Sequence, residues 1–257
     1  MDELNFIETN YPLFQNGTSK RLIRHNFFSK IETELQAYLL GFIYSDGCIN
    51  IQRHTLSIHI NDIDSELFEL FKIISPDAYT KQEEGYESKA LVRGHTVRNK
   101  SSIRLAISSK ILIEDLIKLG VCERKTYENL HIPKMNPNLI GSFIRGYFDG
   151  DGWVTTWVDK EVGKKQRNRC NVGMCNKYDD MLIEIQNFFN KYDIKFKLHY
   201  LKRDDMYRIV IQSKEQLKIL FNLLYNNSTL FLSRKKEKFE NYVNTEILHK
   251  TNENCNA

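Results

Sequence analysis

Two aspartates are the residues of this chain whose type and position point most directly to chemistry. Asp46 and Asp151 are each followed by glycine and lie at matching positions of the similar segments 37–49 and 142–154. Both segments read as helices, and we expect each glycine to adopt the left-handed conformation common after a helix. A carboxylate at a helix C-terminus is disfavoured by a few tenths to about 1 kcal/mol. A hard divalent cation, Mg²⁺ or Mn²⁺, bound by carboxylate and phosphate oxygens would offset that cost.

Small residues predict that the two helices lie side by side. They recur four residues apart, as Gly41 with Ser45 and as Gly146 with Gly150. Glycine inside a helix costs about 1 kcal/mol relative to alanine, so its presence in both helices favours a gain from close backbone contact. For one isolated Asp-Gly pair, simple helix capping is the better interpretation. A duplicated pair on adjacent helices instead favours a shared cation site.

The chain repeats itself beyond these helices. The segment Arg104–Lys110 recurs as Arg208–Lys214, and Arg124-Lys125 recurs as Arg234-Lys235, in the same order as the helices. Matching segments that recur in the same order indicate that the chain arose by duplication of one unit. Each half reads as helix, strand, strand, helix, strand, strand, helix, which predicts an α+β fold with a pseudo-twofold duplicated αββαββα unit. We expect an N-terminal extension (1–34), two halves (35–135 and 136–243) and a C-terminal tail (244–257).

Alternating residues predict sheets with one apolar and one polar face. In the first half Ile49 and Ile51 alternate with polar residues, and in the second half a strand is predicted from Tyr207 to Gln212. Helices at 64–74 and 179–192 would cover the apolar faces. Such a polar face could simply be solvated. If it binds DNA, the candidate base-reading residues are Asn50, Gln52, Ser57, His59, Arg104, Lys195, Lys197, His199 and Arg208.

A basic loop is the clearest candidate for phosphate contacts. It contains Lys164, Lys165 and Arg167. Contacts to phosphates position a protein on DNA without reading its sequence. Runs of basic residues are more often solvated surface, so the loop supports DNA binding only together with the strand faces.

Composition excludes several classes of protein. The net charge of +4 does not by itself separate a DNA binder from other soluble proteins. The five cysteines show no Cys-x-x-Cys spacing, which favours reduced packing residues over disulfides or a zinc clip. No apolar run approaches the roughly 20 residues of a membrane helix. Because the first residues are acidic and lack a secretory signal, we expect an intracellular protein, in a bacterial or phage-infected cytoplasm or in an organelle.

At these residues the sequence resembles the LAGLIDADG homing endonucleases, in their single-chain form with two motifs. The first copy of the motif is carried by Leu39, Gly41, Ile43, Asp46 and Gly47, and the second by Gly146, Asp149, Asp151 and Gly152. The similarity runs from about residue 26 to 242. It implies a saddle-shaped fold in which two four-stranded antiparallel sheets lie in DNA major grooves and the motif helices pack at the interface.

The resemblance also implies roles for individual residues. Asp46 and Asp151 would bind the metals, with help from the backbone carbonyls of Ser45 and Gly150. A basic residue accompanies each metal site in the family, and the closest matches are Lys125 and Lys235. Each of them could instead be a surface lysine at the start of a helix.

This sequence departs from the family pattern at two positions. The sixth motif position is Tyr44 in the first copy and Asp149 in the second. It is usually a packing or capping position, so this difference leaves the catalytic assignment intact. A polar strand residue near the active site matches His59, but its counterpart reads as Met174, which predicts unequal metal sites.

The resulting interpretation is a metal-dependent endonuclease that cleaves double-stranded DNA at a long, asymmetric site. The resemblance further implies a monomer that acts with Mg²⁺ or Mn²⁺ and is encoded in an intron or another mobile element. Two alternatives stay open on the same scaffold: a non-catalytic DNA-binding regulator and an RNA maturase. A purely structural role is least favoured because it leaves the paired aspartates unexplained.

Overall fold

A computed structural model of the chain describes residues 2–15, 20–92, 95–99, 101–159 and 167–254. Lys164 and Lys165 lie outside these residues, so their predicted phosphate contacts stay a prediction. Of the described helices, none is long and apolar enough to cross a membrane.

The first half follows a short N-terminal segment. That segment contains α1 (Glu3–Asn10), β1 (Phe14–Gln15) and β2 (Leu22–Ile23). The first half then comprises α2 (Glu34–Asp46), β3 (Gly47–Asn50), β4 (Thr55–Asn61), α3 (Glu66–Lys72), β5 (Tyr79–Glu83), β6 (Tyr86–Val92), β7 (His95–Asn99), β8 (Ser102–Ser108) and α4 (Lys110–Lys118). The hairpin β6–β7 is an insertion that the sequence interpretation missed.

The second half repeats this order without the inserted hairpin. It comprises α5 (Ile140–Asp151), β9 (Trp153–Asp159), β10 (Arg167–Asn176), α6 (Asp180–Asn190), β11 (Lys197–Leu201), β12 (Met206–Ile211), α7 (Lys214–Tyr225) and α8 (Ser233–Asn254). The duplicated αββαββα unit is therefore confirmed. Helix α8 runs without a break across the predicted boundary at residue 243.

Each half forms one four-stranded antiparallel sheet. The strand orders are β3-β4-β8-β5 and β9-β10-β12-β11. Since β3 and β9 follow α2 and α5 directly, they connect the end of each motif helix to an edge of its sheet. One side of each sheet packs into the core, as in β4, where Leu56, Ile58 and Ile60 are buried.

The first hairpin is shorter than the alternation of Ile49 and Ile51 predicts. Strand β3 ends at Asn50, and residues 51–54 form the turn to β4. Ile51 is therefore 43% exposed instead of buried. The side chain of Asn50 accepts a hydrogen bond from the backbone N–H of Arg53 (2.7 Å), which stabilises the turn. Gln52 consequently lies at the tip of the hairpin and outside the strand.

The two motif helices pack backbone against backbone, as the small residues predict. A Cβ placed on Gly41 would lie 1.9 Å from the carbonyl oxygen of Phe143, and one on Gly146 would lie 2.0 Å from that of Tyr38. No side chain fits at such distances. These two glycines therefore allow α2 and α5 to cross in direct contact.

The glycines that follow the aspartates do not have the predicted left-handed conformation. Gly47 has φ −73° and Gly152 has φ −76°, both in extended backbone that leads directly into a strand. Glycine is needed at both positions because a side chain would not fit. A Cβ on Gly47 would lie 2.6 Å from the carbonyl oxygen of Ile43, and one on Gly152 would lie 2.5 Å from that of Phe148.

The N-terminal segment belongs to the first half structurally, although it lies outside the repeat. The Arg24 guanidinium donates a hydrogen bond to the carbonyl of Ile73 (2.9 Å), and the side-chain amide of Gln36 donates to the carbonyl of Phe27 (2.6 Å). Ile7 and Phe27 are fully buried in the common core. The segment thus supports the start of α2, at the end opposite Asp46.

Candidate active site

Asp46 and Asp151 end the two crossing helices and face the same solvent-open region. A Cβ placed on Gly150 would lie 2.9 Å from the Asp46 carboxylate and 1.8 Å from the Ser45 hydroxyl oxygen, so the two helix ends touch. Ser45 and Asp151 also line one cleft of about 460 Å³. The structure therefore brings together the two residues on which the metal hypothesis depends.

The electrostatic environment of the carboxylates is unfavourable without a cation. Burial among protein atoms and repulsion from Asp151 raise the pKa of Asp46 to about 6, although Lys125 and Lys235 act in the opposite direction. Burial also raises the pKa of Asp151, against the same two lysines. Both aspartate residues nevertheless remain exposed, so water screens part of these effects.

Lys125 lies at the end of the first motif helix. Its Nζ donates hydrogen bonds to the backbone carbonyls of Ile43 (2.8 Å), Tyr44 (3.1 Å) and Ser45 (2.7 Å). The last carbonyls of a helix have no partner within the helix, and a cation there is favoured by the helix dipole. Burial lowers the pKa of Lys125, whereas Asp151 and Asp46 raise it.

Lys235 occupies the equivalent place at the end of the second motif helix. Its Nζ donates to the backbone carbonyls of Phe148 (2.7 Å), Asp149 (2.8 Å) and Gly152 (2.5 Å), and more distantly to that of Gly150 (3.3 Å). Lys235 is only 6% exposed, and burial lowers its pKa to about 8. It is therefore a buried residue of the site, and the alternative of a surface lysine is wrong for Lys235.

The donor set fits a cation that is only partly coordinated by protein. Among the described residues, no group of three or more His, Cys, Asp or Glu side chains could hold a metal. The two carboxylates and the carbonyls of Ser45 and Gly150 are hard oxygen ligands of the kind that Mg²⁺ prefers, with water and phosphate completing the shell. Each carbonyl already accepts from a lysine but has a second lone pair.

Asp149 occupies the sixth motif position and ties the two halves together. Its carboxylate is 2% exposed and accepts hydrogen bonds from the hydroxyls of Tyr38 (2.9 Å) and Tyr225 (2.8 Å) and from the backbone N–H of Leu232 (2.8 Å). Tyr44, at the same position of the first copy, donates its hydroxyl to the carbonyl of Leu119. Asp149 thus binds the segment that leads to Lys235, and Tyr44 binds the segment that leads to Lys125.

The outer face of the first sheet carries the predicted polar residues of β4 and β8. Arg104 donates to the Ser57 hydroxyl (3.3 Å), and His59 pairs with Arg104 across the strands. Strand β5, to which the sequence interpretation assigned no residues, forms the outer edge of this sheet and places Lys81 and Glu83 on the same face. The Glu83 carboxylate is 3.3 Å from Lys81 Nζ and 3.6 Å from His59 Nε2.

The outer face of the second sheet is more basic. Lys195, Lys197, His199 and Arg208 line one concave pocket of about 540 Å³ together with Asn171, which the sequence interpretation missed. Arg167 begins β10 at the far end of this sheet and is exposed. The structure thus groups the predicted base-reading residues of this half.

Strand register corrects one predicted correspondence. His59 pairs with Arg104 in the first sheet, and Cys175 pairs with Arg208 in the second. The counterpart of His59 is therefore Cys175, whereas Met174 is buried in the core and corresponds to Ile58. Cys175 lines the cleft beside Asp151. The two halves therefore differ at this position, where the first carries an imidazole and the second a thiol. Cys48, in contrast to the expectation for the cysteines, is exposed and is not a packing residue.

Comparison with known proteins gives both family and structural matches. Residues 138–224 match the family model described as a LAGLIDADG-like domain. The LAGLIDADG meganuclease I-CpaMI, solved bound to uncleaved DNA, has a TM-score of 0.57 at 14% identity, over 86% of this chain and 93% of its own. This is the LAGLIDADG fold. The resemblance predicted from the two motif copies is confirmed.

Two further LAGLIDADG structures are similar over nearly the whole chain. The meganuclease I-AabMI, bound to uncleaved DNA, has a TM-score of 0.55 at 12% identity, over 86% of this chain and 92% of its own. The homing endonuclease I-SmaMI, bound to cleaved DNA, has a TM-score of 0.54 at 12% identity, over 87% and 92%. Among curated proteins, none matches this chain by sequence.

Proposed function

We propose that this chain is a site-specific endonuclease for double-stranded DNA that uses divalent metal ions held by Asp46 and Asp151. The observation that carries the proposal is the meeting of these two carboxylates at the crossing of the LAGLIDADG helices. Both halves contribute one aspartate, so a single chain supplies a complete site and should act as a monomer. The DNA-bound structures of the same fold support the choice of substrate.

The site would hold Mg²⁺ or Mn²⁺ through the two carboxylates and the carbonyls of Ser45 and Gly150. Such an ion supplies charge stabilisation and an activated water for phosphodiester hydrolysis. The protein holds these oxygens on two rigid helix ends that cannot move apart without separating Gly41 and Gly146 from the backbones they touch. The carboxylates are thus preorganised for a cation before DNA binds.

Lys125 and Lys235 would supply positive charge beside the cleaved phosphates. Their Nζ atoms lie against the last carbonyls of the motif helices, and both interact electrostatically with Asp46 and Asp151. With a pKa of about 8, Lys235 keeps its proton in most molecules at pH 7. Its positive charge can therefore stabilise the negative charge that develops on the phosphate.

DNA recognition would use the outer faces of both sheets. Each sheet begins at the aspartate-bearing helix end through β3 or β9, so a duplex crossing the carboxylates would also run along both faces. Polar side chains there can read base edges in the major groove. Arg167, with the predicted Lys164 and Lys165, would contact phosphates.

A cleavage selection from a randomised duplex library tests this proposal. The full chain is incubated with the library in Mg²⁺, and the new ends are sequenced, with EDTA as the control. We expect cleavage of both strands at one asymmetric site in Mg²⁺ alone. Selective duplex binding without cleavage in Mg²⁺ or Mn²⁺ would instead identify a regulator, and selective binding of structured RNA in a parallel selection would favour a maturase.

A further inference from the structure

The pocket on the second sheet contains a carboxamide whose orientation is fixed by the protein. The indole Nε1 of Trp153 lies 2.8 Å from the side-chain oxygen of Asn171, on the neighbouring strand. An indole N–H can only donate a hydrogen bond, so the atom of Asn171 that faces it must be the carbonyl oxygen. The amide nitrogen is therefore directed away from Trp153. Among the described residues, none forms a hydrogen bond with that nitrogen.

This orientation restricts which base Asn171 can read. A bidentate contact with adenine requires the carbonyl oxygen of asparagine to accept from the adenine amino group while the amide donates to N7. The bond to Trp153 turns the oxygen towards the neighbouring strand and leaves it one lone pair, whereas the N–H donors of Asn171 have no partner among the described residues and can serve the pocket. Guanine displays two acceptors, O6 and N7, in the major groove, and thymine displays one.

Arg208 adds a second donor group to the same pocket. It lies on β12, opposite His199 of β11 and Cys175 of β10. Its Nε is buried and has no hydrogen-bond partner among the described residues. Arginine donates to both O6 and N7 of guanine in the commonest specific contact with DNA. Lys195 and Lys197 line the same pocket and add positive charge.

A second carboxamide at the end of the pocket is constrained in the same way. The side-chain oxygen of Gln216 accepts a hydrogen bond from the backbone N–H of Lys195 (3.0 Å). The amide nitrogen of Gln216 is therefore directed away from that N–H. The amide nitrogens of both carboxamides thus point away from the groups that hold their oxygens, and they add to the arginine and lysine donors of this pocket.

We propose that this pocket reads guanine in the half-site that lies under the second sheet, through Arg208 and the amide of Asn171 oriented by Trp153. The inference rests on the proposed DNA-binding function and specifies its substrate. Arg208 and Asn171 contact the base edges. Trp153 is a positioning residue, since it acts through Asn171.

The test is a binding selection from a randomised duplex library in calcium, which needs no cleavage. Four variants are compared with the wild type. Arg208→Ala removes the guanidinium, and Asn171→Asp keeps the acceptor for Trp153 but replaces the donors by an acceptor. Trp153→Phe keeps the ring and removes the N–H. Trp157→Phe is the matched control, because Trp157 lies on the same strand outside the pocket.

We expect the wild type to select guanine at two or more positions of one half-site. Arg208→Ala should reduce discrimination at one of these positions by about 5- to 150-fold. Asn171→Asp should reject guanine at another position. It should favour cytosine there, because the carboxylate can accept a hydrogen bond from the cytosine amino group. Trp153→Phe should admit adenine at that same position, and Trp157→Phe should leave every guanine position unchanged.

Different failures have different meanings. If Arg208→Ala and Asn171→Asp alter positions at which the wild type does not select guanine, the inference is wrong while the proposed function stands. A wild-type profile for Trp153→Phe, with its melting temperature retained, would overturn the positioning role. If Trp153→Phe does not fold, Asn171→Asp decides, since it preserves the bond to the indole. A wild type without any selective duplex binding would overturn the proposed function itself.

Discussion

Replacing Asp46 by asparagine should abolish cleavage while making the protein slightly more stable at neutral pH. The fold raises the pKa of this carboxyl from 3.8 to about 6. One pKa unit corresponds to about 1.36 kcal/mol, so the full shift would correspond to roughly 3 kcal/mol. Since Asp46 is exposed to solvent, screening should reduce this to about 1 kcal/mol or less. For a chain of this size that is about 2–4 °C in melting temperature.

The pH dependence of this effect has a definite sign. A carboxyl whose pKa is raised by folding destabilises the protein when it is ionised, so the destabilisation is complete above about pH 6. It diminishes as the pH falls through 6 and vanishes below the unfolded value of 3.8. Asp46→Asn should therefore melt above the wild type at pH 7 to 8, and the two curves should converge near pH 4.

Asp149→Asn is the matched control, because Asp149 belongs to the other motif helix but is buried. Its carboxylate accepts three hydrogen bonds, and an amide cannot replace all of them. A loss of about 1–3 kcal/mol is expected. The assays are thermal melting across pH, duplex affinity in calcium and cleavage in Mg²⁺. Wild-type cleavage by Asp46→Asn, or a stability loss as large as that of Asp149→Asn, would refute the metal-ligand role.

Three other perturbations test the helix interface, the lysines and the DNA-binding surface. Gly41→Ala should lower the unfolding free energy by about 1–3 kcal/mol or more, since its Cβ would lie 1.9 Å from a carbonyl oxygen. Gly141→Ala is the control and should be tolerated, because its Cβ would lie 3.6 Å from the nearest atom. Thermal melting of both variants measures the difference. Lys235→Met should slow single-turnover cleavage by about 100-fold or more with duplex binding retained. Duplex affinity should fall steeply with salt, and alanine at Lys164 and Lys165 should weaken binding equally for all sequences, as measured by titration of several duplexes.

The helix pair and the duplicated architecture were predictable from sequence because their determinants are local. Gly41 and Gly146 lie on short motifs, and a glycine inside a helix has few physical explanations other than close contact. The aspartates follow at fixed spacing on the same helices. The two aspartates come close together once the helices cross, and the glycines permit that crossing.

The missed features depend on pairing between distant strands. Trp153 and Asn171 are 18 residues apart and meet only through the β9–β10 register. The correspondence of His59 with Cys175 likewise requires the register, because the β9–β10 connection is longer than the β3–β4 turn and shifts any simple alignment. The backbone of Gly47 was mispredicted because its helix continues directly into a strand without the usual capping turn.

Counting bound Mn²⁺ in the protein–DNA complex tests the central claim most directly. Electron paramagnetic resonance titration of Mn²⁺ is compared for the wild type, Asp46→Asn and Asp151→Asn on a duplex that each protein binds. If Asp46 and Asp151 hold the metal, the wild type should bind Mn²⁺ and binding should be weakened or lost in both variants. Equal Mn²⁺ stoichiometry and affinity in all three complexes would contradict it.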